Sequence, residues 1–173
     1  MQARLMLVIV ALLCIVCSAA DLAHFRSKSH RYEAEYPHTW FAWDTRPDLT
    51  IANYRLSEGL HGGLLPPGGA RVQVVVRPEK LVGKTLDDWI SRDLSVLDPK
   101  EIVSKDRADH GRQCTEIHVR YEVGPGVSYD QFSCYFVSAG RQFAVGLEYR
   151  SEDERSSEYL DTYNMVIRSF RAD

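Results

Sequence analysis

The chain has 173 residues, of which 45% are hydrophobic and 26% charged, and its 21 basic and 24 acidic side chains give a formal net charge of −3. This length is ample for one domain with a sizeable core and too short for two. No run of Lys and Arg with interleaved aromatic residues occurs, so the phosphate-neutralising surface that nucleic-acid binding needs is missing, and nucleic acid is not expected as a partner.

The first twenty residues have the layout of a secretory signal peptide. Arg4 is followed by an apolar stretch from Leu5 to Cys17 and then by the small residues Ser18-Ala19-Ala20, which predicts cleavage after Ala20. The stretch holds about 13 residues against the roughly 20 that cross a bilayer, so a permanent membrane span is the weaker interpretation. We therefore expect an exported protein, periplasmic or extracellular, with a single domain over residues 21–173. Its 20 basic and 24 acidic side chains give a formal charge of −4.

Two of the four cysteines, Cys14 and Cys17, lie in the segment that is expected to be removed. Neither is preceded by the small residue that lipoprotein processing requires, so a lipid anchor is disfavoured. The mature chain keeps Cys114 and Cys134, and an even number of cysteines in an oxidising compartment favours a disulfide between them.

The strand pattern around these two cysteines argues the other way. If strand pairing keeps Ile117, Val119 and Tyr121 on the same face as Phe132 and Phe136, Cys114 lies on the opposite face from Cys134 unless a bulge intervenes. The sequence leaves both possibilities open.

The mature chain begins with a short polar lead-in. Strict alternation over Arg31 to Tyr36 predicts a half-buried strand, which Pro37 ends. Leu49 to Leu56 indicates a second strand. Residues 57–70, rich in Gly and Pro, indicate a long loop, a setting in which functional residues are common.

The middle of the chain predicts a central strand and a helix. Arg71 to Arg77 carries Val on both faces, which is typical of a strand that is covered on both sides. Thr85 followed by Asp88 forms a capping-box-like start, and the apolar spacing that follows predicts a helix over residues 86–97, before Pro99.

The last third of the chain predicts a meander and a second helix. Strands are expected over Gln113 to Val123, Tyr129 to Ser138 and Gln142 to Tyr149, with a further one possible at Ile102 to Lys105. Ser151 with Glu154 indicates a helix start of the same kind as at Thr85. Hairpin-linked strands and two amphipathic helices predict an α+β domain, with a twisted, mainly antiparallel sheet flanked by helices.

Four stretches of this sequence resemble the PsbP-like domain family, which includes the Mog-type proteins. They are the entry Tyr32-Glu33-Ala34-Glu35-Tyr36-Pro37-His38-Thr39-Trp40, the segment Gly69-Ala70-Arg71-Val72, the helix start Thr85-Leu86-Asp87-Asp88-Trp89 and the closing Ile167-Arg168-Ser169-Phe170. The resemblance covers nearly all of residues 30–170. It implies an α/β/α sandwich that is used for binding and not for catalysis, and it implies no particular ligand.

No catalytic, cofactor-binding or metal-ligating residue is expected. The chain lacks the Gly-x-Ser-x-Gly and Ser-x-x-Lys arrangements of hydrolases, and neither Gly62-Gly63 nor Gly124-Pro125-Gly126 is followed by the Lys-Ser/Thr of a phosphate loop. The alternating Glu116, His118 and Arg120 form either a solvated strand face or an acid–base cluster, and the latter would make the protein a periplasmic small-ligand carrier or enzyme. The alternation favours the solvated face.

A protein partner is expected, and the best candidates for a contact surface are apolar. Trp40, Phe41 and Trp43, together with Leu64 and Leu65 of the long loop, form a possible partner patch, because exposed aromatic and Leu side chains suit protein recognition. The alternative, which the residue types favour, is that Trp40 and Leu64 pack against the end of the sheet.

Overall fold

A computed structural model describes residues 21–44, 49–55, 57, 64–77 and 85–173. The predicted signal peptide at residues 1–20 lies outside them, as do residues 58–63 of the predicted loop. The strands are β1 Leu22–Ser27, β2 Tyr32–Pro37, β3 Phe41–Asp44, β4 Leu49–Ala52, β5 Ala70–Val76, β6 Glu101–Asp109, β7 Gln113–Gly124, β8 Val127–Ser138, β9 Arg141–Arg150 and β10 Arg171–Ala172. The helices are α1 Leu86–Leu97 and α2 Ser156–Ser169.

The strands form two antiparallel sheets. Seven strands pair in the order β3-β4-β5-β9-β8-β7-β6, and β2 lies between β1 and β10 in a three-stranded sheet. Helix α2 and the small sheet pack on one face of the large sheet, and α1 packs on the other. The predicted α+β class and the sandwich of helices around a mainly antiparallel sheet are confirmed. Neither helix in the described ranges has the length and hydropathy to cross a bilayer.

Helix α1 begins and ends as the sequence predicts. The Thr85 hydroxyl accepts a hydrogen bond from the Asp88 amide (3.1 Å), and the Asp88 carboxylate accepts one from the Thr85 amide (2.8 Å). These two bonds form the predicted capping box. Asp98 ends the helix in the left-handed region at φ 44°, and Pro99 follows, which disfavours continuation.

Helix α2 begins later than predicted, so the expected start at Ser151 is wrong. Ser151 belongs to a turn in which its amide donates to the carbonyl of Ser128 (2.9 Å). The Asp153 side chain accepts from the Arg155 amide (3.0 Å), and α2 begins at Ser156 without a side-chain cap. A local Asp turn thus satisfies the amides that a capping box would have bound.

Three short strands, β1, β3 and the two-residue β10, are absent from the sequence prediction, and all three are edge strands. The polar lead-in contains β1, which pairs only with β2, and β3 borders the large sheet next to β4. Strand β4 ends at Ala52, before the predicted Leu56. There the Asn53 side chain donates to the Gly68 carbonyl (2.9 Å) and accepts from the Ala70 amide (2.8 Å), which turns the chain.

The two mature cysteines share one face of the sheet, so the expected opposite placement is wrong. Ile117 lies opposite Ser133, and Glu116 lies opposite Cys134. Cys114 is therefore the diagonal neighbour of Cys134 on that face. The structure joins the two by a disulfide, with their Cα atoms 5.6 Å apart, a separation in the usual range.

The main core lies between the large sheet, α2 and the small sheet. It is rich in aromatic rings, and Phe170 at the end of α2 contacts Tyr32, Phe136 and Phe143 with ring centroids 4.9–5.4 Å apart. The core on the α1 side is smaller, because Trp89 and Ile90 cover only Ile117, Val119, Tyr135 and Ala144 in its buried centre. The two faces of the sheet are therefore covered to different extents.

Candidate functional site

The predicted partner patch is divided by β3. Side chains alternate along a strand, so Phe41 and Trp43 lie on the α1 side of the sheet and Trp40 lies on the other. The Trp40 ring packs edge-on against Tyr159 of α2, with centroids 6.3 Å apart. Trp40 thus packs on the main core, which agrees with the alternative interpretation, whereas Leu64, 40% exposed, does not.

Leu65 is a core residue, so its place in the predicted surface patch is wrong. Its side chain is 1% exposed and packs with Ala52, Tyr54 and Tyr129. Its amide donates to the Tyr129 hydroxyl (2.6 Å), and its carbonyl accepts from Arg150 (2.9 Å). These bonds fix the segment against the sheet.

Phe41, Trp43 and Leu64 remain at the surface and form what we call the apolar rim. Phe41 and Leu64 are each 40% exposed, and the Arg55 guanidinium lies over the Phe41 ring, 5.5 Å from its centroid. Trp43 is half-buried and packs on the cluster that contains Leu65, its ring edge-on to Tyr54 with centroids 6.3 Å apart. The rim therefore rests on a fixed base.

The apolar rim continues directly into a polar part of the same sheet face. From Phe41, cross-strand neighbours lead through Ala52 to Arg71, Glu148 and Gln131. A parallel row runs from Trp43 through Thr50 to Gln73, Gly146 and Ser133. We call the central members of these rows the polar floor: Arg71, Gln73, Gln131, Ser133, Gly146 and Glu148.

A charge pair is buried in the polar floor. Arg71 Nε donates to one carboxylate oxygen of Glu148, and the Tyr121 hydroxyl donates to the other. The side chains of Arg71 and Glu148 are 26% and 10% exposed. Burial raises the pKa of Glu148 above its ordinary value, and the charge and hydrogen bond of Arg71 only partly oppose this.

Helix α1 forms the far wall of the site. The Tyr135 hydroxyl donates to Asp93 (3.1 Å), and burial raises the pKa values of both groups. Val96 is 74% exposed and, with Leu97, faces a cavity of about 280 Å³ over the polar floor. Gly146 lines this cavity and leaves room in it, because glycine has no side chain.

This arrangement suits binding better than covalent chemistry. The carboxylates of Glu148 and Asp93 already accept hydrogen bonds, and neither is paired with a Ser or Cys nucleophile. In the described part of the chain, no three His, Cys, Asp or Glu side chains stand close enough to hold a metal ion. What the site offers is an apolar rim beside a floor of donors and acceptors.

Glu116, His118 and Arg120 lie on the opposite face, toward α2. Glu116 contacts His110 Nε2 (2.7 Å) and accepts from the Tyr163 hydroxyl (3.1 Å). His118 Nε2 lies 2.6 Å from an oxygen of Asp130, which also accepts from Arg120 (3.2 Å).

These contacts give the alternative carrier or enzyme function no support. Each of the three groups is directed at a neighbour within the protein, and the His118 ring stacks on Phe132 at 4.0 Å. The solvated-face interpretation also needs correction, because the side chains of His118 and Asp130 are only 16% and 5% exposed. Helix α2 and its neighbours largely bury Glu116 and His118, whereas the Arg120 side chain is 41% exposed.

The polar floor is absent from the sequence prediction. Arg71 and Gln73 were visible as the polar face of a valine-rich strand, and Glu148 stands out as the one charged residue within the predicted strand Gln142 to Tyr149. An isolated charge in such a strand is a usable signal. The sequence holds no comparable signal for the pairing of Arg71 with Glu148, since that pairing depends on the order of strands in the sheet.

No family model matches this chain, and no curated protein matches it significantly in sequence. Solved structures do. Cyanobacterial PsbP (CyanoP) from Synechocystis sp. PCC 6803 is 16% identical, with 91% of this chain and 96% of that one covered and a TM-score of 0.54. The Ran-binding protein Mog1p of Saccharomyces cerevisiae is 10% identical, with 89% and 96% covered and a TM-score of 0.55.

LpqN of Mycobacterium tuberculosis, which is involved in cell envelope biogenesis, is 12% identical, with 89% and 91% covered and a TM-score of 0.50. At these identities the likeness shows the fold alone. The chain has a PsbP/Mog1-like fold, which confirms the fold that the four sequence stretches imply.

Proposed function

We propose that this protein is an exported, non-catalytic binding module that acts by contact with a protein partner, and that the partner docks on the apolar rim and polar floor. The signal-like residues 1–20 support export to the periplasm or beyond, with residues 21–173 as one mature domain. The fold neighbours support a binding role, since Mog1p is a Ran-binding protein. The docking site proposed for the partner is inferred from the surface of this chain itself.

One observation carries the proposal: a buried charge pair lies on a sheet face beside exposed apolar side chains. A face needed only for packing would be apolar, since burying Arg71 and Glu148 costs free energy. Aromatic and Arg groups around a partly desolvated centre are the usual composition of protein interfaces. The α1 face combines both features between β3 and α1.

The test compares two double variants, each of which replaces two exposed apolar side chains by Ser. Phe41→Ser with Leu64→Ser removes the exposed side chains of the rim. Ile102→Ser with Val103→Ser removes side chains of similar exposure, 53% and 43%, from the edge strand β6. Each double variant is tagged, expressed in the native host and used to purify partners from the cell envelope, while thermal unfolding reports stability.

The proposal predicts that the rim variant loses a partner that the wild type and the β6 variant both retain, with the thermal midpoints of all three close together. Surface substitutions of this kind change stability by about 0.5 kcal/mol or less. Retention of every partner by the rim variant would contradict the docking site. Turnover that disappears when a single polar side chain is changed would contradict the non-catalytic role.

A further inference from the structure

One end of the molecule gathers basic side chains from several separate segments. Arg141, after the β8–β9 turn, donates to the main-chain oxygens of His30, Arg31 and Asp173. Arg112, in the β6–β7 turn, donates to the carbonyl of Phe170. These contacts bring three turns and the C-terminal strand together. We call the basic residues there the basic end: Arg26, Lys28, Arg31, Arg112, Arg141, Arg168 and Arg171.

Four carboxylates, those of Glu33, Glu35, Asp109 and Asp173, lie among the seven basic residues, and Glu33 is the cross-strand neighbour of both Arg26 and Arg171. Arg171 donates to the carbonyls of Arg168 (2.8 Å) and Phe170 (2.7 Å), and Arg112 and Arg141 likewise bind main-chain oxygens. Within the described ranges, the one ion pair of the basic end joins Arg26 to Asp173 (3.7 Å). Seven basic residues against four carboxylates leave this end of the described structure with an excess of positive charge.

The arginines of the basic end also repel one another. Burial and the positive charge of Arg171 lower the pKa of Arg112. The Arg112 Nε atom is buried and has no hydrogen-bond partner. An anion bound nearby would relieve this repulsion.

The opposite end of the molecule is acidic. Helix α2 runs between the two ends: Glu152, Asp153, Glu154 and Glu158 lie around its start, and Arg168 and Arg171 lie at its finish. This order also matches the helix dipole. In a chain with a net charge of −3, the separation gives the molecule a strong electric asymmetry. A negatively charged surface would attract the molecule and orient its basic end toward that surface.

We propose that the basic end docks on an anionic phospholipid bilayer. Its cations come from two turns, from strands β1, β9 and β10 and from the end of α2, an arrangement that fits an extended array of phosphates. Six of the seven basic residues are arginines, whose guanidinium groups bind phosphate in a bidentate manner. Each basic residue near an anionic membrane strengthens association roughly fivefold.

This orientation leaves the apolar rim clear of the membrane. Leu65, which anchors the rim, contacts Tyr129 and Arg150, and these residues lie at the far ends of β8 and β9 from Ser138 and Arg141 at the basic end. The inference goes beyond the proposed protein contact and does not depend on it. It adds a second surface that places the module at a membrane.

Co-sedimentation with lipid vesicles tests the proposal. The wild-type chain is mixed with vesicles of phosphatidylcholine alone or of phosphatidylcholine with phosphatidylglycerol, at low and high salt. Arg168→Gln with Arg171→Gln removes two exposed charges of the basic end. Arg92→Gln with Lys100→Gln removes two charges away from the basic end and is the control with the same change in net charge. All proteins carry the same N-terminal segment, so its contribution is common to them.

We expect binding to the phosphatidylglycerol vesicles that exceeds binding to neutral ones, is lost at high salt, and falls about 25-fold in the Arg168/Arg171 variant. The Arg92/Lys100 control should bind as the wild type does. Equal binding by both variants, or no preference for anionic vesicles, would overturn the proposal.

Two competitor arms identify the ligand. Inorganic phosphate at moderate concentration should leave vesicle binding nearly unchanged, and full displacement by it would indicate a discrete phosphate site instead of a membrane surface. Soluble polyglutamate reports on an acidic protein partner. Binding to polyglutamate with no binding to anionic vesicles would overturn the proposal in favour of such a partner.

Discussion

The two faces of the large sheet serve different physical purposes. On the α2 face, aromatic and aliphatic side chains are closely packed, and the buried carboxylate of Asp130 has a lowered pKa. Burial acts to raise that pKa, but polar contacts with Ser151 and His118 and the charge of Arg120 outweigh it. On the α1 face, burial prevails and raises the pKa values of Glu148 and Asp93.

This difference separates residues that stabilise the fold from residues that are retained at a cost in free energy. A carboxylate with a lowered pKa stabilises the folded state when ionised, whereas one with a raised pKa opposes folding when ionised. The α2 face therefore carries the larger share of the packing that stabilises the domain. The α1 face keeps charged groups where apolar ones would be more stable, as expected of a surface that binds something else.

The largest expected effect lies on the α2 face. Phe170 is fully buried among aromatic rings, so Phe170→Ala should lower the free energy of unfolding by about 4 kcal/mol. Val96→Ala, at a position 74% exposed on α1, should change it by about 0.5 kcal/mol or less. Urea denaturation measures both values. Similar losses in the two variants would remove the distinction between the faces.

An intermediate effect should appear in the pH dependence of stability. Because the pKa of Glu148 is raised, its contribution is present below the ordinary glutamate pKa and is lost as the pH rises through the raised value. Glu148→Gln should flatten this fall and, because a neutral side chain replaces the ionised one, raise the free energy of unfolding at neutral pH by about 1 kcal/mol. Urea denaturation across a pH series measures it.

Asp130→Asn serves as the matched control from the other face. Its lowered pKa contributes stability above the ordinary aspartate pKa, and this stability is lost as the pH falls through the lowered value. The variant should therefore flatten the loss on the acid side. If both substitutions changed the pH profile in the same sense, the opposition between the faces would be wrong.

The smallest effect is expected at Gly146. A Cβ atom there would lie 3.6 Å from Ser133 Oγ and 3.7 Å from the Phe132 carbonyl, which are ordinary contacts. Gly146→Ala should therefore fold normally and gain about 0.4–1 kcal/mol from the reduced freedom of the unfolded chain. Thermal unfolding checks this. A marked loss of stability would mean that the space over the polar floor is needed for packing.

Local patterns in the sequence predicted most of the fold. The capping box at Thr85 and the meander after Gln113 depend on neighbouring residues, and both are found. The predicted start of α2 and the predicted faces of Cys114 and Cys134 are wrong. The start depends on an Asp turn, and the faces depend on the pairing register of the strands. Register depends on contacts across the whole sheet, which alternation within one strand does not specify.

The candidate site was predictable only in part, for a related reason. Phe41 and Leu64 could be identified as candidates from residue type, and both are exposed. Leu65 could not be distinguished from its neighbour, since its burial depends on Tyr129 and Arg150 from distant strands. The pair of Arg71 and Glu148 likewise follows from strand order.

The central claim is that the α1 face recognises a partner while the α2 face maintains the fold. The most direct measurement is a set of amide chemical-shift changes in the labelled protein when the purified partner is added. The account predicts changes concentrated at Phe41, Trp43, Arg71 and Gly146, with the amides of α2 unaffected. Chemical-shift changes centred on α2, with no change at the amides of the polar floor, would contradict it.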